Sequence, residues 1–357
     1  MDLFETVVAE SDVSPLFRVV RDQPSQSPAR RLMNRVFDEW PHRRREFRRD
    51  FQTDGFSART WELALFAYMV ERDYSVDSSH GRPDFLVSKG GVTVALEATT
   101  TNPPRNVLPR PKPAVLSEGL PQVPKDIEAS RTELVFQLAK ALRKKLNHVD
   151  SQGRHYWEVP LTAGLPFLIA VEAFHGDTAL FHSDAPLAGY LYGLQWSGRT
   201  NEAGEAEISV ELVEEHRRGA QSIPSAFFAS DEARPVSAVL FSNAGTASQF
   251  LRIGIERGMD DPSFTVVRVG TRYNADPTAV EALPFQYVVE PGKHRETFAH
   301  GLRLFHNPRA LVPLPRGFFS DVSEMWLSPS GLVPGTHPPF APFGSLTHTY
   351  PVPRPTA

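Results

Sequence analysis

Apolar positions recur every three to four residues between Ser57 and Arg72, where Trp61, Leu65, Tyr68 and Met69 form one stripe. That period predicts a helix, and Ser57, after the turn Asp54-Gly55-Phe56, is a suitable cap. Glu62 lies near the packed side of this helix. A carboxylate there needs a partner, and a metal ion, an arginine or backbone donors would each serve. The chain then changes to a period of two. Pro83 to Val87 reads as a strand, Ser88 to Gly91 as a turn, and Val92 to Thr99 as a second strand. Alternation points Asp84 and Leu86 one way, and Phe85 and Val87 the other. On the second strand Thr93, Ala95, Glu97 and Thr99 share one face. Pro83 suits a strand start, where its missing N–H matters least.

A second helix is predicted from about Asp126 to Leu146, with Leu134, Leu138, Leu142 and Leu146 as its stripe. Lys140, Arg143, Lys144 and Lys145 gather near its end, where positive charge suits the helix dipole. Leu165 to Val171 is almost wholly apolar and reads as a strand buried on both faces. With one more strand around Tyr74 to Asp77, the order becomes helix, three strands, helix, strand. Residues 1 to 28 carry only short apolar patches and read as an appendage or cover strand. A basic helical region follows from Ala29 to about Phe51, divided at Pro41. Further on, a short helix is expected from Ala185 to Leu194 and a polar excursion from Gly198 to Glu207. Strands are expected at Val236–Phe241, Phe264–Gly270 and Phe285–Val289, and another helix at Glu296–Phe305. The proline-rich last forty residues carry aromatic anchors such as Trp326, Phe340 and Phe343.

Composition narrows this picture only slightly. A chain of 357 residues can bury a substantial core as one large domain or two smaller ones. Its formal charge of -4 gives no global argument for nucleic-acid binding. Local basic patches remain: Arg43, Arg44, Arg45 and Arg48 could grip backbone phosphates, or simply face solvent beside Asp38, Glu39, Glu46 and Asp50. The absence of cysteine excludes disulfides and thiolate metal sites. No run is long enough for a membrane span, and the acidic N-terminus does not read as a signal peptide, so a cytoplasmic protein is the expectation.

Several chemistries lack their motifs. No Gly-x-Ser-x-Gly elbow, glycine-rich phosphate loop or His-Glu-x-x-His occurs. His175 and Asp177 offer a histidine and an acid, but without a zinc-like spacing. The stretch from residue 57 to 175 does resemble the PD-(D/E)xK nuclease superfamily, the restriction-endonuclease-like fold. The resemblance is carried by Glu62 on the first helix, by Pro83-Asp84, and by Glu97-Ala98-Thr99 on the following strand.

That resemblance implies an α/β fold: a three-layer core with a mixed sheet, followed by an irregular, β-rich C-terminal region. It divides the chain into an N-terminal appendage with the basic helices (1–54), the nuclease-like core (55–176) and an α+β region of unassigned role (177–357). It also implies that Asp84, Glu97 and the Ala98 carbonyl bind Mg²⁺ or Mn²⁺, with Glu62 as an additional ligand or a water orienter. Mg²⁺ prefers hard oxygen ligands, and a bound ion can polarise a phosphate and activate water. The implied activity is hydrolysis of DNA phosphodiester bonds in restriction, repair or defence. The sequence departs from the family at Thr99, which stands where the motif lysine is expected. Lys140 and Lys144 are the nearest substitutes by topology; Arg82, Lys89, Lys112 and Lys125 are further candidates. The other reading is an inactive core that binds nucleic acid or a protein partner within a larger complex.

Overall fold

The computed structural model describes residues 2–41, 46–101, 126–174, 179–183, 185–201, 206–276, 279, 281–328, 331–335 and 337–352. Four helices come first: α1 (Pro15–Asp22), α2 (Ser27–Glu39), α3 (Phe47–Gln52) and α4 (Phe56–Glu71). Strands β1 (Ser75–Asp77), β2 (Phe85–Lys89) and β3 (Val92–Thr101) follow, then α5 (Ile127–Leu146), β4 (Phe167–Ala173) and α6 (Ala185–Tyr192). Two hairpins come next, β5 (Leu194–Thr200) with β6 (Ala206–Leu212), and β7 (Glu215–Arg218) with β8 (Gln221–Pro224). The remainder is β9 (Val236–Ser242), α7 (Ala247–Glu256), β10 (Phe264–Arg272), β11 (Leu283–Val288), β12 (Arg303–His306), β13 (Ser323–Ser328), β14 (Gly331–Pro334) and β15 (Pro342–Pro351).

A central mixed sheet of eight strands runs in the order β1-β2-β3-β4-β9-β12-β13-β14. Strands β3, β4 and β9 are parallel neighbours, while β1, β2 and β3 form an antiparallel meander. The pleat sends alternate side chains into two apolar layers. Val94, Leu96, Leu168 and Leu240 join one layer with residues of α2, α4 and α7. Ala95, Ile169, Val171 and Val239 join the other with residues of α5 and α6. The result is helices on both faces of a mixed sheet, with smaller antiparallel sheets outside it. One of these has the order β11-β10-β15.

Most of the expected elements are present. Asp126 caps α5 through its side chain, which accepts from Ala129 N at 2.8 Å. The short strand expected near Tyr74 is β1. Strand β4 runs two residues further than expected, to Ala173, and every residue in it is buried. The basic helical region is interrupted near Pro41, giving α2 and α3.

The structure departs from the expected elements in several places. The first residues, read as an appendage or a cover strand, pack onto the core. Leu3, Phe17, Phe51 and Phe56 belong to the same buried layer as α4, and Gln52 Nε2 donates to the carbonyls of Leu3 and Glu5. A helix at Glu296–Phe305 does not form. Arg303–His306 is a fully buried strand instead, and a strand buried on both faces has no polar alternation to betray it. The polar stretch from Gly198 includes part of the β5–β6 hairpin. The boundary expected at residues 176 and 177 falls between β4 and β9, which are adjacent strands of one sheet. No helix among the described residues is long and apolar enough to cross a membrane.

Candidate functional site

The β2–β3 hairpin turns through Gly90 and Gly91, both with positive φ (59° and 80°). A two-residue turn with two such residues matches the natural twist of paired strands, and glycine adopts it without a Cβ penalty. The turn sets a register in which Phe85 faces Leu96 and Leu86 faces Ala95. Asp84 is thereby brought beside Glu97, on the face that carries Leu86 and Ala95.

The two carboxylates hold one another's backbones. Asp84 N donates to Glu97 Oε2 at 3.1 Å, and Ala98 N donates to Asp84 Oδ2 at 2.9 Å. Glu97 Oε1 receives Lys145 Nζ at 2.5 Å and the Tyr156 hydroxyl at 2.9 Å. Tyr156 in turn stacks on Phe167 at 5.4 Å, which fixes the phenol. Asp84 and Glu97 are buried, at 8% and 3% exposure, while Lys145 is half-buried and links them to the surface.

The electrostatics follow from this packing. Burial, then the neighbouring Asp84 charge, pushes the Glu97 carboxyl above its ordinary pKa, while Lys145 and Tyr156 pull it down. Burial and the Glu97 charge raise the Tyr156 phenol, so it acts as a hydrogen-bond donor. The arrangement is an acid pair with one cation and one neutral donor directed at Glu97.

Of the residues expected to form the site, Asp84 and Glu97 meet directly. Ala98 contributes through its N–H. Glu62 is buried on α4, whose apolar neighbours pack on the other face of the sheet, and both its oxygens accept from Arg59, at 2.6 and 2.5 Å. Among the described residues, no group of three or more acids or histidines could hold a metal ion. Lys140 and Lys144 are exposed; the lysine beside Glu97 is Lys145. Arg48 donates to the Glu5 carbonyl and carboxylate. Arg43, Arg44, Arg45, Lys112, Lys125, His175 and Asp177 lie outside the described residues.

Sequence reasoning missed Lys145 and Tyr156. Lys145 carried a usable signal, because it follows Leu142 by three positions and so lies beside the helix's buried stripe. Lys140 and Lys144 share a helix face with each other, but that face is turned to solvent. Tyr156 lies in a loop, and no period in the sequence marks it.

Comparison of the chain with protein-family models, with curated proteins and with solved structures gave no match.

Proposed function

We propose that the Asp84–Glu97–Lys145 cluster is the centre of a metal-dependent nuclease that hydrolyses DNA phosphodiester bonds, on a core of the restriction-endonuclease-like kind. The observation that carries this reading is the lysine. The residue missing at Thr99 has a counterpart in Lys145, which reaches Glu97 from α5. The order α4, β1, β2, β3, α5, β4 agrees with the αβββαβ arrangement of that fold.

Two adjacent carboxylates suit a divalent ion. Each offers hard oxygens, and the repulsion between them is the kind a cation relieves. Asp84 and Glu97 would hold Mg²⁺ or Mn²⁺, with water filling the positions they leave. The ion, when bound, supplies Lewis acidity toward a phosphate and a more acidic water. The chain's own contribution is to hold both acids rigidly, through Asp84 N and Ala98 N, and to place the Lys145 ammonium where it can offset charge developing on a phosphate. Tyr156 keeps the Glu97 carboxylate oriented.

Plasmid DNA incubated with the purified chain and Mg²⁺ or Mn²⁺ tests this reading. Cleavage is expected, and EDTA and Asp84→Asn should each abolish it. Cleavage that persists in Asp84→Asn would remove the site.

One observation favours a second reading. Both Glu97 oxygens already accept hydrogen bonds, so the cluster also works as a closed tie between the hairpin and α5. The core would then be an inactive binding module. Salt-dependent DNA binding without cleavage, unaffected by Mg²⁺, would support it.

A further inference from the structure

A groove of about 420 Å³ lies between α5 and the β7–β8 hairpin. Phe136, Lys140 and Arg143 line it from the helix, and Arg218 and Gln221 from the hairpin. The two walls are tied together. Arg218 donates to Glu133 Oε2 at 2.6 Å and to Gln221 Oε1 at 2.7 Å, and its guanidinium lies 4.4 Å from the Phe136 ring centre. Gln137 donates to the other Glu133 oxygen at 2.6 Å. These contacts hold the hairpin against α5, so the groove keeps its shape without a ligand.

The helix wall carries charge that its surroundings do not balance. Lys140, Arg143 and Lys144 are exposed, and among the described residues none of them pairs with a carboxylate. Side chains three and four positions apart are neighbours on a helix. For these residues such positions hold no acid, and they bring the three cations beside one another. Like charges at that spacing repel, whereas an ordinary solvated helix face alternates its signs. The acids bordering the groove are already used: Glu133 pairs with Arg218, and Glu215 with Arg217. Arg143 approaches the buried Tyr190 phenol, whose pKa burial raises and Arg143 lowers, but that partner is neutral. The helix dipole accounts for only part of the cluster. Its field falls off within the last turn, and Lys140 lies six residues before the end of α5. The chain as a whole has a formal charge of -4, so this positive charge is a local concentration.

We infer that this groove binds the phosphodiester backbone of DNA. Lys140 and Arg143 are its phosphate contacts, Lys144 extends them one turn beyond Lys140, and Arg218 holds the hairpin wall in place. A polyanion fits this face better than a small anion does. Exposed lysines and arginines gain by releasing the counterions condensed on a nucleic acid, and need no enclosing pocket to do so. Gln221 adds an amide of the kind that also contacts phosphates. In taking DNA as the polyanion, the inference rests on the proposed function. The groove is a second contact, apart from the acids: at 3.6 residues per turn, Lys145 points about 140° away from Lys140 around α5.

Fluorescence anisotropy of a short labelled DNA duplex with the full chain tests the inference. EDTA keeps cleavage from interfering, and salt is varied between about 50 and 200 mM. Salt-dependent binding is expected. Lys140→Gln combined with Arg143→Gln should weaken it at least about tenfold and lower the slope of log K against log salt by about 2, the change for two lost phosphate contacts. Arg18→Gln combined with Lys293→Gln removes the same charge from exposed sites elsewhere and should leave both quantities unchanged. Circular dichroism confirms that each variant is folded. No salt-dependent binding by the wild type, an unchanged slope in the folded groove variant, or an equal loss in the charge control overturns the groove. So does displacement of the duplex by polyglutamate as readily as by unlabelled DNA, which would assign this face to an acidic protein. The cleavage reading is decided separately. A wild type that cuts plasmid while the groove variant keeps its slope removes only the groove, and a wild type that shows the expected slopes but never cuts removes only the cleavage.

Discussion

Lys145 holds its ammonium 2.5 Å from Glu97 Oε1, although 48 residues separate the two in the chain. The pair joins the last turn of α5 to the centre of β3. It puts a cation beside the Asp84–Glu97 acids without using a lysine from the strand that carries Glu97.

Lys145→Met keeps the length of the side chain and removes its charge. On the nuclease reading it should lower the rate of DNA cleavage by about 100-fold or more, the scale of losing one preorganised charge-stabilising group. Single-turnover cleavage checks this, alongside circular dichroism to confirm the fold. Unchanged cleavage in a folded Lys145→Met protein would exclude Lys145 from the chemistry.

Glu296 is expected to matter for stability. Burial opposes its charge, but Arg252 and Arg268 outweigh burial and hold its pKa down to about 2. Its folded-state pKa thus lies below the ordinary value of 4.5. The stabilisation is therefore present above pH 4.5 and is lost as pH falls toward 2. Glu296→Gln leaves two buried guanidinium groups without their carboxylate and should cost about 3–5 kcal/mol near neutral pH. Urea unfolding at pH 7 measures that loss, and a cost under about 1 kcal/mol would contradict the buried-triad account.

Glu172 has the opposite sign. It is fully buried on β4, beside Trp61 and Gly245, and among the described residues no well-formed hydrogen bond reaches either carboxylate oxygen. Burial pushes its pKa up to about 8, although Ser242, the Gly245 amide and Arg303 pull it down from longer range. Between pH 4.5 and 8 the folded protein keeps a proton that the unfolded chain releases. Stability from this residue therefore falls as pH rises through that window. Glu172→Gln should remove the dependence and be more stable than the wild type at pH 9, by on the order of 3–5 kcal/mol. Thermal melts from pH 5 to 9 test this; parallel curves for the two proteins would contradict it.

Legibility in the sequence followed the kind of burial. The β2–β3 hairpin and α4 were readable because their periods are clear and two glycines mark the turn. Alternation assigned Asp84 and Glu97 to faces of their strands; their adjacency depends on the register that the hairpin sets. Lys145 was obscured because a charged residue at the edge of an apolar stripe reads as surface unless its spacing to Leu142 is weighed. The strand Arg303–His306 was obscured because burial on both faces erases alternation. Glu62 was recognised as a buried acid needing a partner, and Arg59, three residues earlier on the same helix, is one such partner. The Arg252–Glu296–Arg268 cluster brings together three distant segments, and no local pattern announces it.

Plasmid cleavage in the presence of Mn²⁺, compared among the wild type, Asp84→Asn and Glu97→Gln, tests the nuclease reading most directly. Metal-dependent nicking or linearisation by the wild type is expected, with loss of at least about 100-fold in each folded variant. Wild-type protein that leaves DNA intact under these conditions, or variants that cut as fast as the wild type, would contradict the assignment of Asp84 and Glu97 to catalysis.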